Sequence, residues 1–459
     1  MSKFSKLLAL TFVLALVLGA FSFVASAQEP VVITWFIGVG TGGNPEQIEM
    51  QEAVVAAFNE AHDDIQIEMI VVENNVSVET LGTLIATGQA PDIVGPAGFE
   101  AANGWRGNWL PLDDLVASTG YDLSQFPEAA VDAFRDTDGL LYGLPLANYP
   151  AFLWYRPALF DEAGLEYPPA AYETPYVLDG EEVVWDVWTL REVAMRLTVD
   201  ANGYDATEEE FDPENVVQWG FKNMWAAPMR QNVTMFGSGE LYDGETSAVM
   251  PEYWREGFHW LYDGIWTDHF IPSAAQDASD LLAAGNAFAS GNLAMTQTHL
   301  WYTCCIDDAE WDAAALPSYN GVTTSRIHGD TFRIMNMTEH PEEAFEVLVY
   351  LTGDASLDLL SVYGGMPARP EDQEAFFATL DEKYPQGVNW DVVVESLNYT
   401  ESPQHEAWMP NYNEADAFIN AFESNIESTP GLDIDAEIDT MLEGLQVIFD
   451  DYFAGLGEG

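Results

Sequence analysis

From Val31 to Ile37 every position but Thr34 is apolar, and the run mixes β-branched with aromatic residues, which predicts a buried strand. Four glycines among the next six residues mark a turn. Asn44-Pro45-Glu46-Gln47 then predicts a helix start, with Asn as N-cap, Pro at the first position and Gln able to bond back to the cap. Ile48, Val55 and Phe58 are expected on its inward face. Residues 65–72 read as a second strand, and Val78, Leu81 and Ile85 recur at helical spacing before Gly88, which can close that helix in a left-handed conformation. Pro91-Asp92-Ile93-Val94 opens a third strand. This alternation predicts an α/β protein on a largely parallel sheet.

Further on, residues 167–184 are rich in Pro, Tyr and acids and read as a long surface excursion, and residues 200–215 as a loop. Three late apolar stripes predict helices. The first opens at Pro341 and carries Ala344, Phe345, Leu348 and Leu351. The second carries Ala415, Phe418, Ile419, Phe422 and Ile426. The third runs from Ile434 to Phe453.

The amino terminus follows a different logic. Lys3 and Lys6 precede an apolar run to about Val24, and Ala25-Ser26-Ala27 supplies the small residues of a cleavage site, so a signal peptide over residues 1–27 and an exported chain from Gln28 are expected. No cysteine at the junction offers a lipid anchor. With 459 residues and 48% hydrophobic content, two or more domains are expected. The balance of 14 Lys+Arg against 76 Asp+Glu gives a net charge of −62, which repels nucleic acid and anionic membranes.

Candidate chemistry is sparse. Gly38, Gly40 and Gly43 spell G-x-G-x-x-G after a strand, the pattern of a dinucleotide loop, but export and the late position of Glu73 favour a ligand loop at the carboxyl edge of the sheet. Cys304 and Cys305 are adjacent, and either a vicinal disulfide or two buried thiols fits them. Asp200, Asn202 and Asp205 resemble part of a calcium loop without its bidentate Glu. No zinc-type Cys/His spacing, H-E-x-x-H or G-x-S-x-G is present, so no metal, cofactor or catalytic residue is predicted. Aromatic residues make up 13% of the chain, with 15 Trp, and several fall where loops are expected. Aromatic faces beside amides and acids suit a sugar, which offers C–H faces and hydroxyls together.

Segments spread along the chain resemble the extracellular solute-binding proteins of bacterial ABC sugar importers, the group that includes maltose-binding protein. They are Ile33-Thr34-Trp35-Phe36, Gly88-Gln89-Ala90-Pro91-Asp92-Ile93, Asp138-Gly139-Leu140-Leu141-Tyr142-Gly143-Leu144-Pro145, Leu153-Trp154-Tyr155-Arg156 and Phe160-Asp161-Glu162-Ala163-Gly164-Leu165. Phe288-Ala289-Ser290-Gly291-Asn292-Leu293-Ala294-Met295, His340-Pro341-Glu342-Glu343-Ala344 and Trp408-Met409-Pro410-Asn411 continue the series. The resemblance implies a two-lobed periplasmic-binding-protein fold, each lobe a mostly parallel sheet flanked by helices. Residues 28–147 with 318–367 would form one lobe and 148–317 with 368–459 the other, with hinge crossings near 146–149, 316–319 and 366–369. It implies Trp301 as a stacking platform, Gly98, Phe99 and Glu100 at the rim, Tyr149 at the hinge and Trp225 on the second lobe. Trp35, Phe36, Gly40, Tyr302, Asp330, Met366, Arg369 and Trp408 complete the expected ligand set. A monomer that hands an unaltered carbohydrate to permease subunits follows from the same resemblance. A secreted glycosidase or lyase, or a receptor for a polyamine, are the alternatives.

Overall fold

The computed structural model describes residues 29–136, 139–225, 230–306 and 310–457; the expected signal peptide lies outside them. Ten strands pair into one twisted sheet: β1 (Val31–Ile37), β2 (Ile65–Val71), β3 (Ile93–Ala97), β4 (Leu144–Tyr155), β5 (Val199–Asp200), β6 (Val216–Asn223), β7 (Leu293–His299), β8 (Asp312–Ala314), β9 (Ile327–Ile334) and β10 (Met366–Pro367). Their order is β2-β1-β3-β9-β4-β7-β6-β5, with β8 and β10 attached to β4. On one flank β1 runs parallel to β2 and β3, and on the other β6 runs parallel to β7. The strands between them join antiparallel.

Strand β4 explains the division of the molecule. Its first half, to Pro150, pairs with β9; its second, from Ala151, pairs with β7. Beside the changeover, β10 pairs with Ala147 and Asn148. Three chain segments therefore lie side by side, at residues 147–150, 327–330 and 366–367. Residues 316–319, expected as a crossing, lie apart from these three: Ser318 and Tyr319 pair with Thr323 and Val322, and Tyr319 packs in the same apolar cluster as Phe152. The core divides at the same place. One apolar cluster gathers Phe152 to Tyr319 with the late helices, and two others, on opposite faces of β1, gather Ile33 to Tyr149 with Phe332 to Ala368.

The loop after β1 depends on buried polar side chains. In helix Pro45–Ala61 the inward stripe is Gln47, Gln51, Val54 and Phe58, one residue round from the expected Ile48 and Val55. Gln47 accepts from the Gly42 and Asn44 amides while the Gln51 amide donates to the Gly42 carbonyl, so two glutamines turn inward to hold the glycine loop. Leu81 is buried on the next helix but Val78 is half exposed, with Ser77 in its place. The excursion at 167–184 is partly core, since it folds a hairpin and buries Tyr172 and Tyr176. Helices Pro341–Thr352, Tyr412–Ser428 and Ile434–Gly457 cover the late stripes, apart from a partly exposed Phe418. No helix among the described residues is long and apolar enough to cross a membrane.

Candidate ligand-binding site

The carboxyl ends of β3, β6 and β7 and the crossing strands β4 and β9 converge where the lobes meet. Gly98 follows β3, and a Cβ there would come within 3.4 Å of an Asp330 carboxylate oxygen. The Tyr149 hydroxyl donates to the other Asp330 oxygen at 3.1 Å. Burial raises the Asp330 carboxyl to about 6, although the Tyr149 bond opposes that rise. The phenol of Tyr149 is itself pushed well above its ordinary value by burial and by the adjacent carboxylate. Phe99 stacks on Phe134 and reaches the backbone of Gly329, and Glu100 is exposed at the same rim.

An aromatic wall stands on the other lobe. Trp225 and Trp301 stack parallel, with centroids 5.7 Å apart and planes 5° apart. Trp225 takes a φ of 50°, an uncommon backbone for a bulky residue, and its indole donates to the Gly285 carbonyl at 3.2 Å. The Trp301 indole donates to His328 Nδ1 at 3.3 Å, and the rings of His328 and His299 stack at 3.7 Å. Burial first, then neighbouring cationic side chains, hold both imidazoles well below their usual range, so they are neutral at pH 7. Register places Asn223 beside Gln297 in the sheet. The carboxamides of both, and Nε2 of His299 and of His328, are buried without a hydrogen-bond partner among the described residues. Buried amides without partners are costly, which marks this face as one that awaits polar groups from elsewhere.

The lobes also touch directly. The Asn103 amide donates to the Glu406 carbonyl at 2.6 Å, and the Arg106 guanidinium lies 4.4 Å over the Trp408 ring. Between them opens a cavity of about 510 Å³ lined in part by Asn103, Arg106, Trp408 and Tyr452. A cavity of about 960 Å³ beside Val31 and Ile65 lies at the amino ends of β1 and β2, the wrong end for a ligand of an open α/β sheet.

Five expected ligand residues belong elsewhere. Trp35 is fully buried, its indole donating to the Gly95 carbonyl, and Phe36 packs on the opposite face of β1. Tyr302 is core and bonded to Asn286, and Met366 is core in β10. Arg369 is spent on Gln125, Tyr121 and the Thr352 carbonyl, with its guanidinium over Phe126. Gly40 is exposed in the loop after β1, its amide bonded to Asn74. Cys304 and Cys305 are joined as a vicinal disulfide. The Asp200 carboxylate takes the backbone amides of Asn202, Tyr204 and Asp212, so the calcium-like loop is closed by its own backbone. Residues that sequence reading missed are Asn223, Gln297, His299, His328, His405 and Glu406. No spacing could reveal them, because the sheet and a distant loop bring them together.

A fold in which two sheet-based lobes share crossing strands, with a polar and aromatic face where they meet, is that of a two-lobed solute receptor. The model of the bacterial extracellular solute-binding proteins matches residues 53–389, and the chain belongs to that family. A mannitol-binding protein of Pseudomonas aeruginosa is 34% identical over 132 residues, 28% of this chain and 29% of that protein. An arabinooligosaccharide-binding protein of Halalkalibacterium halodurans is 23% identical over 346 residues, 71% of this chain and 69% of that one. The match thus spans under a third of the first relative's length. An ABC substrate-binding protein of Listeria monocytogenes, solved with cycloalternan, has the same fold at a TM-score of 0.69 and 20% identity, covering 93% of this chain and 99% of its own.

Proposed function

We propose that this chain is the extracytoplasmic receptor of an ABC importer, capturing a carbohydrate between its lobes and releasing it unaltered to membrane permease subunits. The observation that carries this reading is the set of buried polar groups without a hydrogen-bond partner among the described residues, the carboxamides of Asn223 and Gln297 and Nε2 of His299, next to the Trp225–Trp301 wall. Sugar hydroxyls supply the missing donors and acceptors, and the rings take the sugar's C–H face. The names of the relatives, which bind mannitol and arabino-oligosaccharide, support the same class of ligand. In this reading the lobes are residues 29–149 with 328–365, and the remainder; they close as hinged bodies about β4, β9 and β10, a motion familiar in periplasmic binding proteins. The receptor acts as a monomer after removal of residues 1–27.

Titration with mannitol, arabino-oligosaccharides and malto-oligosaccharides, followed by tryptophan fluorescence, tests the reading, with polyamines as controls. A saturable change with one sugar class, and recovery of that sugar intact by chromatography, is the expected result. Cleaved sugar would replace the receptor with an enzyme, and a response to polyamines alone would remove the carbohydrate.

A further inference from the structure

Beside the aromatic wall, β9 and the loop at residues 400–411 bring His328, His405 and Glu406 together. One ligand atom from each lies within 4.8 Å of the others. His328 Nε2 is 3.6 Å and His405 Nε2 3.9 Å from the same Glu406 oxygen. His405 and Glu406 are buried, and the His328 side chain is 21% exposed. A tetrahedral zinc ion with bonds of about 2.0–2.1 Å spaces its ligands roughly 3.3 Å apart, so modest rotamer shifts close the set.

The surroundings fix which lone pairs are available. Glu401 accepts the His405 backbone amide at 3.1 Å and holds His405 Nδ1 through a short contact with its other oxygen. A carboxylate on Nδ1 keeps the proton there and turns the Nε2 lone pair toward Glu406, the arrangement found behind metal-bound histidines. Two imidazoles and a carboxylate suit zinc-class transition ions rather than calcium or magnesium, which prefer all-oxygen sites.

We propose that His328, His405 and Glu406 form a binding site for one divalent transition-metal ion, with Glu401 as the positioning residue and at least one coordination position left open. The site is wired to the aromatic wall. Without metal, His328 Nδ1 accepts the Trp301 indole proton, so the His328 proton resides on Nε2. A metal on Nε2 moves that proton to Nδ1, where it faces the indole N–H, and Trp301 must turn away. No proton is gained or lost in this step, because only the imidazole tautomer changes.

The test uses the full exported chain without a polyhistidine tag, stripped by chelator, at about 0.15 M salt, titrated with Zn²⁺ by calorimetry and with Co²⁺ by visible absorption. One site per chain, with Zn²⁺ bound at least tenfold more tightly than any background carboxylate sites and resistant to excess Ca²⁺, is expected. Tetrahedral Co²⁺ bands on wild type give a readout that needs no variant to fold. Glu406→Gln and His405→Gln should each weaken Zn²⁺ at least tenfold, and Glu401→Gln tenfold or more through His405. Zinc should change tryptophan emission in wild type but much less in Trp301→Phe, which should bind zinc more tightly because no indole N–H opposes the metal-bound tautomer of His328. Only weak sites displaced by Ca²⁺, no Co²⁺ bands, or unchanged affinity in folded Glu406→Gln and His405→Gln would overturn the site. An unchanged emission on saturation with zinc would overturn the coupling to Trp301.

Discussion

Asp330 and Tyr149 form a carboxylate–phenol pair on two crossing strands, and their energetics differ from those of surface acids. With its carboxyl raised to about 6 by burial, native Asp330 holds a proton that the unfolded chain, near 4, has already released. Stability linked to this group is therefore highest at low pH and is lost as pH rises through about 4 to 6. Asp330→Asn, which stays neutral, lacks that dependence. Relative to wild type, the Asn variant should lose up to about 3 kcal/mol of its advantage between pH 7 and pH 4 in urea titrations; a constant difference would contradict this. The family pattern, which marks strand ends and loops, named Asp330, Tyr149, Trp225 and Trp301, and the structure joins Tyr149 to Asp330 and stacks Trp225 on Trp301. Asn223, Gln297 and the histidines were not, since His328 and His405 lie 77 positions apart and meet only through β9 and its neighbouring loop. Trp35 and Tyr302 looked available because an aromatic residue next to a loop has the same sequence signature whether it faces ligand or core.

At the scale of elements, the loop after β1 is the most exacting. Gly38 has φ 122°, and a Cβ there would lie 2.0 Å from the Val72 carbonyl oxygen, whereas a Cβ on Gly40, at φ 99°, meets nothing within 4 Å. Gly40→Ala carries only backbone strain, about 1–3 kcal/mol, but Gly38→Ala adds a clash with backbone that cannot swing aside. Gly38→Ala should therefore unfold at clearly lower urea than Gly40→Ala, and equal midpoints would show that the loop yields as a unit. Strand and helix periods gave the elements correctly where one face is apolar, as in helix Pro341–Thr352. They slipped by one residue at helix Pro45–Ala61, because Gln47 and Gln51 turn inward to bind the loop. They missed the core role of Tyr172 and Tyr176 because prolines and acids around them resemble a surface segment.

For the whole molecule, a net charge of −62 opposes compaction through self-repulsion that salt screens, with a Debye length of about 30 Å at 0.01 M and about 10 Å at 0.1 M. The melting temperature should rise as sodium chloride increases from about 0.01 to 0.5 M; a flat profile would mean that local pairs already offset the repulsion. Lobe contact belongs to this scale as well, since Asn103–Glu406 and Arg106–Trp408 join surfaces that the proposed hinge motion would part. Carbohydrate capture against the Trp301 face is the central claim, and calorimetric titration of the sugar panel into wild type and Trp301→Ala tests it most directly. One carbohydrate class bound at one site per chain, with affinity at least tenfold weaker in Trp301→Ala (about 1.4 kcal/mol), is the predicted result. No heat with any carbohydrate, or binding that Trp301→Ala leaves unchanged, would contradict it.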